Sequence, residues 1–332
     1  MRRVLLTGAT GGLGQALVPA LLDAGYRVRA TGRSSALGER LRRQGADFHA
    51  ADLCDPDAVS TLSKGVDLVI HAAALSSPWG APTAFEAINV TATARLLEAA
   101  RAAGCDAFIH ISTPSLYAEP RDRLGLTESC PFAARPANDY VRTKQRAEAL
   151  VLAANAPGFA TVALRPRALV GPADRTLLPR LQRVARKGVF PVFREGRALI
   201  DLTDVRDAAD AIIAADRNRA AIAGRAFNIS GGAPLPVHAL LDVAFDALGL
   251  APKRVHLPYG GAAIWAHVLE QVCARLPGRP EPPVTAYTLA TLAFSQTFDL
   301  TAARRDLGWT PRRAPADAIR WAAAERDSHA SL

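Results

Sequence analysis

From its third residue the chain alternates short, almost unbroken apolar runs with stretches of helical length. The runs are RVLLTG, YRVRATG, ADFHAADL, VDLVIHAAA, AFIHIST and ATVALRP, the last reaching Pro166. Between them lie segments with helical spacing at 12–24, 56–64, 85–103 and 140–154. A strand that is apolar at nearly every position must be covered on both faces, which a parallel sheet flanked by helices provides. Six such units predict an α/β fold with a Rossmann-type, doubly wound parallel sheet. After Pro166 the rhythm loosens, with prolines at 172, 179, 191, 234, 236, 252 and 258. Residues 1–170 therefore read as a dinucleotide-binding domain. Residues 171–324 read as a smaller, partly interwoven C-terminal substrate lobe, with some segments returning to the main sheet. Strands are expected there at 198–202 and 226–230 and helices at 205–217 and 237–248, and 325–332 is expected to be a frayed tail.

TGATGGLG follows the first strand and opens the first helix. Gly8 suits a tight turn, Gly11 lets backbone approach a pyrophosphate, and Gly14 lets helix and strand pack closely. The free N–H groups and positive dipole end of the helix favour an anion. The candidate phosphate contacts are Gly8, Thr10, Gly11, Gly12, Leu13 and Gly14, spaced G-x-x-G-x-x-G rather than the commoner G-x-G-x-x-G. The second strand ends in Ala30-Thr31-Gly32-Arg33-Ser34, with no acid to hold a ribose 2′-hydroxyl. Arg33 and Ser34 can pair with a 2′-phosphate instead, so NADP is the expected cofactor, with NAD as the alternative.

Tyr140 and Lys144 stand at i and i+4, on one face of a helix. A nearby cation favours the phenolate, which makes proton transfer by tyrosine feasible. This pair opens the helix that follows the fifth strand, and that strand runs into Ile111-Ser112-Thr113-Pro114-Ser115. Strand C-termini are where open α/β sheets bind ligands. Hydroxyls emerging there can hold a substrate carbonyl.

The ordered set TGATGGLG, Asp52-Leu53, His71-Ala72-Ala73-Ala74, Asn89, IST-PS-LY and YVRTK resembles the extended short-chain dehydrogenase/reductase family over nearly the whole chain. The resemblance implies Tyr140 as acid–base residue and Lys144 as the residue that holds the nicotinamide ribose and tunes Tyr140. It implies that Thr113, four residues before Tyr117, binds the substrate oxygen, with Ser112 and Ser115 as competitors. It also implies Asp52 at the adenine, with Leu53, Ala72, Ala73, Ala74 and Pro166 lining the cofactor and Asn89 supporting the site. Read without the family, Asp52 could simply cap a turn and Asn89 could be a surface residue. Within the family, the segments STPS, ATVALRPR, TLLPRL and GRAFNISGGAPLP resemble the 3β-hydroxysteroid dehydrogenase-like branch, particularly bacterial 2-alkyl-3-oxoalkanoate reductases. That branch implies an apolar ketone–alcohol substrate, a fatty β-keto acid or a sterol-like ketone. It also implies a homodimer built on helices 85–103 and 140–154.

Nucleotide-sugar epimerases and dehydratases share these cofactor motifs and typically grip the diphosphate with an arginine in G-x-x-x-R-D. The matching stretch here, from Gly196 to Val205, has Ile200 at that position, although Arg194 or Arg197 could compensate. An isoleucine cannot pair with a phosphate. Trp79 and Arg167 are further candidate substrate contacts. The stretch 257–276, with Trp265, could line an apolar pocket but is more often core, and His267 on it reads as a packed histidine.

A non-catalytic, NADP-binding regulatory protein is the third class, and the intact Tyr140, Lys144 and Thr113 argue against it. The charge of +9 is spread over scattered arginines, with no basic run or interleaved aromatics, so nucleic acid is not an expected partner. No apolar run approaches the roughly 18 residues of a membrane span. The apolar start is cut short by TGATGG before it can act as a signal peptide. Cys54, Cys105, Cys130 and Cys273 form no CxxC pair, which points to reduced thiols, a cytoplasmic setting and no metal site.

Overall fold

The six apolar runs form six strands in the computed structural model, which describes residues 1–174 and 176–330. They are β1 (Arg3–Thr7), β2 (Arg27–Gly32), β3 (Asp47–Ala50), β4 (Leu68–His71), β5 (Ala107–Ile111) and β6 (Ala160–Pro166). A seventh, β7 (Arg225–Ile229), pairs with β6, and the parallel sheet runs β7-β6-β5-β4-β1-β2-β3. The direction of winding reverses beside β1, and a crevice opens there at the C-terminal strand ends. Register aligns those ends: Thr7 pairs with Thr31 and His71, and His71 pairs with His110.

Alternate residues of each strand enter different cores, because side chains point to opposite faces with a period of two. Val4, Leu6, Leu68 and Ile70 pack with Leu13, Leu17 and Leu21 of α1 (Gly12–Asp23). Leu5, Val69 and Phe108 face the other way, onto residues of α3 (Pro56–Ser63) and α4 (Ala92–Ala102) and onto Val151 of α5 (Asp139–Ala153). The short α2 (Ser35–Arg43) starts on Ser34, whose hydroxyl accepts from the Leu37 N–H. On the first face α6 (Val205–Arg217) joins α1 through Ala208, Ile212 and Ile213. The segment expected as one helix over 85–103 is instead a π-helical stretch, Glu86–Thr91, that leads into α4.

A second core gathers Leu178, Phe190, Ile200, Leu241 and Ile319 beneath a small four-stranded sheet. The expected strand at 198–202 shortens to Leu199–Ile200. Asp201 ends it by accepting from Leu202 N, Gly232 N and the Ser230 hydroxyl. The last helix is Pro315–Ala330, so helical backbone continues into the segment expected to fray, and 331–332 lie outside the described residues.

The long helix α7 (Tyr259–Arg275) departs from the sequence reading. Only Ala266 on it is buried, against Phe193 and against Leu289 and Ala293 of α8 (Ala286–Ala293). Ile264, Trp265, Val268 and Val272 face solvent, with Trp265 61% exposed, so that apolar stretch is not core. His267 is likewise unpacked, with 73% of its side chain exposed beside Glu270. Among the described residues no helix is long and apolar enough to cross a membrane.

Candidate active site

The glycine loop tests whether a dinucleotide fits. Gly8 has φ +69°, and a Cβ there would lie 2.7 Å from Ala73 N; one on Gly14 would lie 2.4 Å from Gly8 O. Both glycines are therefore required by strand–loop–helix packing. At Gly11 a Cβ would meet only Gly8 O, at 3.1 Å, so its outer side is open to a ligand's approach. Gly11 caps α1 without a side-chain acceptor, and no acid sits in the first turn. That is an N-terminus prepared for an anion. Thr10 lies against Gly32 at the end of β2, where a Cβ would meet its hydroxyl at 2.4 Å. Arg33 is exposed and has no ion-pair partner among the described residues. Asp52 is exposed, and its carboxylate accepts from Cys54 N at 2.9 Å, the turn-capping role open to it from sequence. These residues fit a dinucleotide.

Asn138 accepts from Val141 N at 2.9 Å and so starts α5 just before Tyr140. Burial holds the Tyr140 phenol well above its usual range, with Tyr287 raising it further and the nearby Thr113 hydroxyl acting against them. Thr113 donates to the Ser115 hydroxyl at 3.0 Å, and Ser115 lies 2.7 Å from the Tyr287 hydroxyl. Three of these groups come from the sequence reading. Tyr287 does not: it arrives from α8, 172 positions after Ser115, and no local pattern marks it. Of the three hydroxyls at 112–115, Thr113 is the one that acts on Tyr140, while the Ser112 Oγ is buried without a hydrogen-bond partner among the described residues.

Lys144 lies one helical turn on and is fully buried. Its Nζ donates to Ile111 O at 2.6 Å and sits 2.9 Å from His110 Nε2. Burial pushes the ammonium down to about 7, against the pull of Glu148. Tyr287 and Thr113 also act on the Tyr140 phenol, one turn before Lys144. Its Nζ is directed to the end of β5. His71, between Thr7 and Thr93 at 2.8 and 2.9 Å, is buried and pushed down to about 3, so it stays neutral.

Asn89 lies in the π-helical stretch. Its amide bridges Leu75 N at 2.7 Å, Leu75 O at 3.1 Å and the Thr143 hydroxyl at 3.0 Å. It thus ties the loop after β4 to α5, and π-helical turns commonly mark functional sites. Ala73 N donates to Thr7 Oγ1 at 3.3 Å, fixing Ala72–Ala74 beside the glycine loop. Leu53 follows the exposed Asp52 and is half-buried, and Pro166 closes β6 opposite Ile229. Trp79, half-buried in the loop after β4, donates from Nε1 to Arg279 O at 3.0 Å. Arg167, just past β6, is buried.

This is a Rossmann crevice with a glycine loop at one strand end and, at another, Tyr140 beside a Thr113–Ser115–Tyr287 hydroxyl chain. The model of the NAD-dependent epimerase/dehydratase family matches residues 4–230, which carry nearly all of this geometry. The chain belongs to the NAD-dependent epimerase/dehydratase family. One relative in the family is the 2-alkyl-3-oxoalkanoate reductase of Stenotrophomonas maltophilia, 35% identical over 93% of this chain and 95% of that protein. Another is the decarboxylating sterol-4-alpha-carboxylate 3-dehydrogenase of Mus musculus, 31% identical over 81% of this chain and 75% of that one. A solved structure of MoeE5 in complex with UDP-glucose and NAD shares the fold at TM-score 0.77 and 23% identity, over 99% of each chain.

Proposed function

We propose that this member of the epimerase/dehydratase family reversibly reduces an apolar ketone, a β-keto acid or a sterol-like ketone, to a secondary alcohol with NADP(H). The observation that carries the reading is the placing of the Tyr140 phenol beside the hydrogen-bonded Thr113 and Ser115 hydroxyls at the end of β5. When bound, the dinucleotide supplies hydride to the carbonyl carbon. Gly11 and the start of α1 receive its phosphates. Thr113 and Tyr140 hold the carbonyl oxygen between them, and Tyr140 gives its proton to the alkoxide as it forms. A phenol is protonated at neutral pH, the form required of an acid in the reducing direction. Fixing the oxygen between two groups supplies the orientation term.

The second lobe supports an apolar substrate over a nucleotide sugar. Ile200 is buried in the lobe's core. Both arginines that could replace a diphosphate grip are already engaged. Arg194 pairs with Asp122 at 3.0 Å, and Arg197 pairs with Glu195. The reductase and dehydrogenase names of the two sequence relatives agree with this. The test is NADPH oxidation with long-chain β-keto acids and steroid ketones, set beside UDP-sugar turnover. Conversion of the sugar without ketone reduction would overturn the proposal.

NADP is proposed over NAD on Arg33, an exposed cation at the end of β2 with no acid beside it in the sequence. A charge-assisted contact of this kind is worth about 1.5–3 kcal/mol, so Arg33→Asp should weaken NADP by about 10–100-fold and improve NAD. Titration of both cofactors checks this, and an unchanged ratio would remove Arg33 from the site.

A further inference from the structure

Arg167 is 7% exposed and follows Pro166 at the end of β6. Its backbone is fixed on both sides: its N–H donates to Ile229 O at 2.8 Å, and its carbonyl accepts from the Thr203 hydroxyl. Its guanidinium makes no hydrogen bond or ion pair to any described residue, and Nε is buried without a partner. Arg165, two residues earlier and equally buried, is fully used by Glu148 and Tyr117. The acid nearest in effect to Arg167 is Asp201, whose carboxylate is spent on Ser230, Gly232 and Leu202. A buried cation left unpaired is costly, and such a group calls for a ligand that pairs it.

Its position says which ligand. The strand that Arg167 follows pairs with β5, Leu164 opposite Ile111, and Ser112 N donates to Leu164 O at 2.7 Å, so Arg167 leaves β6 beside the strand end that carries Thr113 and Ser115. The phosphate loop follows β1, three strands away from β6 and so roughly 14 Å off at ordinary strand spacing. The cofactor's phosphates are met there, which leaves the substrate to fill the fork on Arg167.

We propose that Arg167 binds a carboxylate on the substrate, making the preferred ketone a carboxylated one held by a two-pronged guanidinium pair. This rests on the ketone-reductase reading and narrows it: Arg167 discriminates acids from their neutral counterparts while Tyr140 and Thr113 do the chemistry.

The stable direction for a test is oxidation of a long-chain 2-alkyl-3-hydroxyalkanoate and of its methyl ester, with wild type, Arg167→Met and Arg167→Lys. The wild type is expected to favour the acid. Arg167→Met should lose about 100-fold in kcat/KM on the acid and little on the ester, with NADP affinity unchanged and Arg167→Lys intermediate. Arg167→Met should also melt higher than wild type, because an unpaired buried charge is removed; a structural ion pair would give the opposite shift. Equal turnover of acid and ester by the wild type, or an equal loss on both in Arg167→Met, overturns the proposal. Titration with a saturated 2-alkyl carboxylate lacking the hydroxyl separates the two readings. Binding that Arg167→Met abolishes, with no alcohol oxidised, keeps the carboxylate site and sinks the reductase; oxidation of both alcohols with no carboxylate binding does the reverse.

Discussion

Tyr140→Phe should reduce turnover by about 10²–10⁴-fold while leaving dinucleotide affinity unchanged. The substitution removes one oxygen and keeps the ring, so α5, capped by Asn138, retains its position. What is lost is the phenolic proton that the reading assigns to the alkoxide. That proton is donated only as charge develops on the substrate oxygen, so the loss appears in kcat more than in KM. Thr113→Val should show a smaller loss of the same kind, because Tyr140 still supplies the proton. Single-turnover hydride transfer, measured beside cofactor titration, checks this. A loss below about tenfold in Tyr140→Phe would mean that another group protonates the product.

Glu148→Ala should cost about 3–5 kcal/mol of stability, the usual penalty for leaving one member of a buried ion pair alone. Glu148 and Arg165 have 3% and 4% of their side chains exposed, and the guanidinium also bonds to the Tyr117 hydroxyl. Arg165 lies over the Phe132 ring, 4.9 Å from its centre, so the stranded cation would have no route to water. The pair joins β6 to α5, the helix that carries Tyr140 and Lys144, so its loss should loosen the site as well as the fold. Replacing both partners, Glu148→Leu with Arg165→Met, should recover much of the stability. Chemical denaturation of the two variants measures the difference. Equal destabilisation in both would show that packing, not the stranded charge, sets the cost.

The sheet was legible because its strands are apolar at almost every position and each is followed by a turn and a helix. β7 was read only as a strand in the second half of the chain, since Arg225–Ile229 carries no sign of its distant partner β6. The glycine loop and the Tyr140–Lys144 spacing were legible because they are local. Tyr287 and the Glu148–Arg165 pair were not, because long-range packing makes them. The surface position of α7 was missed for a related reason. Periodicity reports an apolar helix, but only the packing partner decides whether it is covered, and Phe193 and α8 reach little beyond Ala266.

The most direct test of ketone reduction uses NADPH carrying deuterium at the transferred position, with a long-chain 2-alkyl-3-oxoalkanoate as substrate and mass analysis of the product. Deuterium on the new carbinol carbon, absent with Tyr140→Phe, is the predicted result. An unlabelled product, or label transfer that persists at wild-type rate in Tyr140→Phe, would contradict it.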